Sequence, residues 1–191
     1  MAFIDASLPG VPVERLPDVL TNELPAAELN ALRLDATLVP FAHAFLVAHA
    51  LGDAADRIHG AFGRHSSRLI AELDTAAWVW GARHSPPTQF EFCASLTERA
   101  RLAPGALDAV REVAISGDEV VTIAGRRVTN PVRTAIDLAR FRDDGSYSPD
   151  VVAELLALAR TDAPAARAVM DERRHLTHAE RARRRLGALA C

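Results

Sequence analysis

The sequence predicts an α+β protein, with a small mixed sheet packed by short helices and a helical C-terminal tail. Three observations predict it. Short runs at 89–94, 110–115 and 120–123 alternate or are rich in β-branched residues, and turn-forming residues bound them. Asn130-Pro131 and Ser148-Pro149 each place a capping side chain before a proline, whose missing N–H costs nothing in a first helical turn. Beyond Ser148 the apolar residues Val151, Val152, Leu155 and Leu156 recur at helical spacing.

The elements follow in order. The first twenty residues are proline-rich and lack a clear period. A helix is expected to open near Pro25 and to bury Ala26, Leu29 and Leu32. Extended runs at 37–39 and 45–47 follow, with Pro40 breaking between them. Asp53 is the expected cap of a helix carrying Ile58 and Phe62. Residues 69–71 read as a strand. Asp74 or Thr75 then caps a helix over 76–80, and Gly81 ends it. After the Pro86-Pro87 break come the strands at 89–94 and 110–115 and a turn at Ser116-Gly117-Asp118. Residues 120–123 and 127–129 read as strands joined by a tight turn at Gly125. Asn130 caps a helix running from Pro131 to about Phe141. Asp162 caps a further helix, and Thr177 with Glu180 has the spacing of a capping box. The expected division is 1–66, 67–145 and 146–191, with no internal repeat.

Composition excludes several functions. All 22 basic residues are arginine, so reactions that use a catalytic lysine cannot run here in their usual form. Cys93 and Cys191 are too few and too far apart for a disulfide scaffold, and reduced thiols are expected. The start has no basic stretch leading into an apolar run, and no apolar segment is long enough to span a bilayer, so a cytoplasmic location is expected. The net charge of −3 is uneven. Residues 1–60 hold Arg15, Arg33 and Arg57 against eight carboxylates, whereas Arg173, Arg174, Arg181, Arg183, Arg184 and Arg185 cluster near the end. Attraction for nucleic acid is therefore expected from the middle or the end of the chain.

The candidate sites are few. His175 and His178 lie three apart but lack further ligands at zinc spacing, so no metal and no cofactor are expected. Ser66 and Ser67 stand beside His65 without a nucleophile elbow. Asp118-Glu119 and Asp143-Asp144 read as solvated turn residues. No catalytic residue is assigned and no enzyme activity is expected. Trp78 and Trp80, two apart on a helix, cannot share a face. One is expected in the core, and Trp78 is expected in one cooperative unit with Ile136 and Leu138. Arg133 and Asp137 have the spacing of an i,i+4 ion pair, which would orient two elements if buried. Arg126 and Arg127 at a hairpin tip, and Arg181, Arg184 and Arg185 along one side of the last helix, are the candidate nucleic-acid contacts. An ordinary solvated turn and an amphipathic surface helix would show the same arginines.

Two stretches carry a resemblance to a known family. Residues 70–81 contain Thr75-Ala76-Ala77-Trp78 and end at Gly81. Residues 121–140 run from Val121 through Gly125, Val128-Thr129-Asn130-Pro131 and Arg133-Thr134-Ala135 to Asp137-Leu138-Ala139-Arg140. Together they resemble the AbiEi-type antitoxins of type IV toxin–antitoxin systems, over about 24–140, with a looser likeness in the tail. The resemblance gives Thr75, Trp78, Gly81, Gly125, Pro131, Arg133, Asp137 and Arg140 as structural motif residues. It implies a C-terminal domain tied to neutralising a nucleotidyltransferase-like toxin, and an N-terminal winged helix that binds operator DNA and regulates transcription. Residues 28–33 and 37–47 resemble the last helix and the wing of a reduced winged helix, although that wing has no lysine or arginine. The expected function is a non-catalytic antitoxin or repressor. The alternative is an orphan interaction module related to the N-terminal part of Vsr-like endonuclease fusions, without the nuclease domain.

Overall fold

The computed structural model describes residues 19–20, 24–48, 52–98, 100, 107–173 and 176–189. It is an α+β fold with two sheets. The smaller sheet has the order β1-β3-β2, all antiparallel, from Val19–Leu20 (β1), Leu38–Phe41 (β2) and Ala44–Val47 (β3). Pro40 does not break the run. It sits inside β2 opposite Phe45, and β2 is an edge strand, where a missing N–H need not cost a ladder bond. Helix α1 (Ala26–Leu34) precedes β2. It buries Leu29, while Ala26 is exposed, contrary to the expected stripe.

Helix α2 (Ala54–Phe62) starts at a reciprocal capping box between Asp53 and Asp56. Its C-terminal half receives the β2–β3 hairpin. A Cβ at Gly60 would stand 2.9 Å from the Phe41 ring, so glycine is what lets the ring lie against the helix.

The larger sheet has the order β6-β5-β4-β8-β7, from Ile70–Ala71 (β4), Glu91–Ser95 (β5), Ala109–Val113 (β6), Val120–Ile123 (β7) and Arg126–Thr129 (β8). β4 pairs antiparallel with β5 and parallel with β8, β5 pairs parallel with β6, and β7–β8 is a hairpin. Its two-residue loop, Ala124-Gly125, has positive φ at both positions, the twist that a tight hairpin demands. Register puts Phe92, Ala71, Val128 and Val121 in one row across the sheet. Against that row pack Ile58 and Phe62 of α2 and Ala76, Trp78 and Val79 of α3 (Leu73–Trp80). The neighbouring row, Arg111, Cys93, Ile70 and Arg127, faces the other way.

Asp74 and Thr75 do not cap α3. Glu72 is its N-cap residue, without a side-chain cap bond, and Thr75 is buried with its Oγ1 accepting the Glu91 N–H at 2.7 Å. Gly81 ends the helix in the left-handed region, φ +86°.

A second core is helical. α4 (Pro131–Phe141) packs against α3, α5 (Pro149–Leu158) and α7 (Ala179–Ala188), and α6 (Ala163–Asp171) packs against α7. Asn130, Ser148 and Asp162 cap α4, α5 and α6, each accepting the expected backbone N–H. The Thr177 capping box does not form. His178, in the left-handed region, precedes α7 without a side-chain cap bond. Trp78 lies in the sheet core, and Ile136 and Leu138 lie in the helical core. Trp80 joins them, since its ring packs on both cores and its Nε1 donates to the Thr129 carbonyl at 2.8 Å.

Trp78 is only 2 % exposed. Trp78→Ala should therefore lower unfolding free energy by on the order of 3 kcal/mol through lost contacts and a cavity. Urea unfolding measures it, and a change within experimental noise would contradict the burial.

Candidate functional site

The motif residues of α4 build a buried charge network. Arg133, Asp137 and Arg140 fall on one face because their spacings, four and three, follow the helical period. The Asp137 carboxylate is 1 % exposed. It accepts Arg133 Nε at 2.7 Å and Arg140 Nη1 at 2.8 Å, and Arg111 Nη2 of β6 lies 3.4 Å away. Arg111 turns its fork onto Glu72, both bonds being 2.6 Å. Arg133 reaches Glu119 at 2.5 Å, and Arg173 reaches the same oxygen at 2.5 Å. The Arg111 and Arg140 guanidinium carbons lie 4.2 and 4.5 Å from the centre of the Phe141 ring.

Three carboxylates and four arginines thus form one connected set linking β4, β6, the turn before β7, α4 and the end of α6. A cleft of about 400 Å³, counting its open mouth, runs alongside and is lined by Glu119, Asn130, Arg133, Ile136, Arg140 and Met170 among others.

Burial alone would raise the Glu119 carboxyl, but the Ser116 N–H and the Arg133 guanidinium outweigh it and hold it below the usual range. Burial dominates at Glu72 and pushes that carboxyl up against the pull of Arg111. Burial would lower Arg133, but the Asp137 charge and the Glu119 bond keep it firmly protonated. Cys93 is a free buried thiol, pushed far up by burial and by Glu72, and so is a poor nucleophile.

Glu119 therefore corrects the expectation of a solvated acidic turn, since it is 5 % exposed. Asp118, Asp143 and Asp144 are exposed as expected. Glu72 and Arg111 were not singled out from the sequence. The usable signal was a charge inside an apolar run, as in Ile70-Ala71-Glu72-Leu73, because such a residue is normally buried with a partner.

The remaining motif residues shape the backbone. Gly81 lets Arg57 approach, since a Cβ there would stand 2.8 Å from its Nη1, which donates to the Trp78 carbonyl at 3.4 Å. Thr129 and Thr134 hydroxyls meet at 2.7 Å where β8 enters α4, and Pro131 opens that helix.

The candidate nucleic-acid residues are unevenly committed. Arg126 donates to the His65 carbonyl at 3.1 Å and lies over the Phe62 ring. Arg127 bonds the Arg68 carbonyl and pairs with Glu98 at 2.8 Å. Arg185 donates to the carbonyls of Ala139 and Arg142 at 3.1 and 2.7 Å, satisfying the C-terminus of α4, and pairs with Asp144. Arg181 reaches the Arg142 carbonyl at 3.4 Å. Arg184 is exposed. Arg174, His175 and Cys191, and with them the His175/His178 pair and the Cys93/Cys191 pairing, lie outside the described residues. No helix among the described residues is long and apolar enough to cross a membrane.

Asp137→Asn leaves three guanidinium groups without their shared charge, and should cost about 3 kcal/mol of stability by urea unfolding. Glu119→Gln should be pH-dependent. A depressed carboxyl stabilises the fold above its unfolded-state value, and that contribution disappears as the pH falls through the lower folded value. The stability gap between wild type and Glu119→Gln should hence be full at pH 7 and shrink below the ordinary glutamate value of about 4.3. A gap that stays constant down to acid unfolding would contradict the pairing.

Among curated proteins none matches the chain. A solved structure, the RV2827C protein from Mycobacterium tuberculosis, aligns over 91 % of this chain and 75 % of its own at 14 % identity, with a TM-score of 0.38. Residues 69–188 match the family model of the AbiEi antitoxin C-terminal domain. That stretch contains the whole charge network and reaches through the tail helices, beyond the sequence motifs that end at Arg140. The charge network, set in α4 by the Arg133-Asp137-Arg140 motif, is thus part of a chain that belongs to the AbiEi antitoxin family.

Proposed function

We propose that the chain is a non-catalytic antitoxin that neutralises a nucleotidyltransferase-like toxin and represses its own operon by contacting DNA. One observation carries the non-catalytic part: the carboxylates of the network accept guanidinium donors at 2.5–2.8 Å. The charged motif residues are therefore occupied in holding the fold, and acid–base chemistry would require breaking those pairs. Family membership supports the antitoxin role. The order α1, β2, β3 is consistent with the last helix and wing of a reduced winged helix. Its described wing residues contain no arginine, so phosphate contact falls to the arginines of α7, with Arg184 the best placed because it is exposed.

Cells expressing a nucleotidyltransferase-like toxin encoded beside this gene should recover growth when the full chain is supplied, and failure to recover would remove the antitoxin reading. DNA titration at two salt concentrations tests the repressor reading. Arg184→Gln should weaken binding across sequences and reduce the salt slope by about 1, with folding unchanged. An unaltered affinity and slope would exclude this contact. Arg185→Gln is the less clean probe, because it also uncaps α4.

A further inference from the structure

We propose that His43, His65 and Asp108 form a binding site for a zinc-class divalent transition-metal ion, clasping the N-terminal hairpin to the larger sheet. His43 Nε2 and His65 Nε2 approach the same oxygen, Asp108 Oδ2, at 2.9 and 2.8 Å. The three ligand atoms lie within 4.8 Å of one another. Two imidazoles and one carboxylate are a borderline N/O donor set suited to zinc and its neighbours, and they leave a fourth position for solvent.

Each ligand is held by its surroundings. His43 lies in the β2–β3 turn, where its N–H donates to the Gly60 carbonyl at 3.0 Å. Its Cβ packs on Gly63, where any side chain would stand 2.8 Å away, and its ring is 4.7 Å from that of Phe90. His65 follows α2, with its ring 5.3 Å from that of Phe92. Asp108 leads into β6, and its second oxygen, Oδ1, accepts the Phe90 N–H at 3.1 Å. A carboxylate whose other oxygen is fixed by a backbone donor is oriented as metal-site carboxylates are. The Asp108 side chain is 4 % exposed, and a divalent ion would offset the charge of a carboxylate buried to that depth. The His43 side chain is 39 % exposed, which gives the ion a way in.

Tetrahedral zinc with bonds of about 2.0 Å holds its ligands about 3.3 Å apart. The two short N···O separations must therefore open by roughly half an ångström, which a turn residue can supply. Both imidazoles must present the Nε2 lone pair to the ion. His43 and His65 lie before the stretch matched by the family model and Asp108 within it.

The test uses the full chain, freed of metal by a chelator, titrated with Co²⁺ by visible absorption and then with Zn²⁺ as competitor. The expected result is one Co²⁺ per chain, displaced by Zn²⁺, with a rise in melting temperature on Zn²⁺ addition. His43→Ala should weaken uptake at least tenfold and abolish the rise. His43→Gln, which keeps a polar side chain beside Asp108 and so protects folding, should weaken uptake similarly. His84→Ala, at an exposed histidine elsewhere, should change nothing. No Co²⁺ uptake, or uptake that survives both His43 variants, would show the trio to be a hydrogen-bonded cluster and overturn the site.

Discussion

The Asp137 carboxylate is the point on which the join between the larger sheet and the helical core turns. A bare carboxylate at that depth would cost several kcal/mol in lost hydration, so the fold is tolerable only with its guanidinium partners in place. Two partners come from its own helix and one from β6. Through Arg111 the constraint passes to Glu72, at the junction of β4 and α3. Through Arg133 it passes to Glu119 and on to Arg173. One ionised group thereby fixes how the sheet meets the helical core. Apolar contacts supply most of the driving force, but they are non-directional, and the network supplies the orientation.

A chain whose basic residues are all arginine uses several of them as backbone clamps. Arg57, Arg126, Arg140 and Arg185 donate to the carbonyls of Trp78, His65, Thr177 and Ala139. The planar fork of five donors can serve a carbonyl and a carboxylate at once, as Arg185 does, which a lysine ammonium does less well. This use matters for function, because an arginine committed to a helix terminus is not free to grip phosphate. The basic cluster near the C-terminus is therefore less available than its charge count suggests, and Arg184 stands apart from its neighbours. The N-terminal hairpin, by contrast, meets the rest through the Phe41 ring and the backbone around His43, and the close approach depends on Gly60 and Gly63.

By itself the sequence determined the α+β class, most of the element order, and the local geometry at Asp53, Gly81, Gly125, Asn130, Ser148 and Asp162. It also determined that Arg133 and Asp137 share a helix face, and it carried the motifs of the family. These features rest on interactions within a few residues, which is why they can be read from spacing and side-chain type. Pro40, Thr75 and Thr177 escaped that reading, because a tertiary contact or an edge position overrode local preference. Only the tertiary structure decided that Glu119 is buried, that Glu72 and Arg111 complete the network, that Trp80 joins two cores, and that His43, His65 and Asp108 meet. Each of these depends on strand register and helix packing between residues distant in the chain. A charged or imidazole side chain carries no mark of its eventual partner until folding removes it from water.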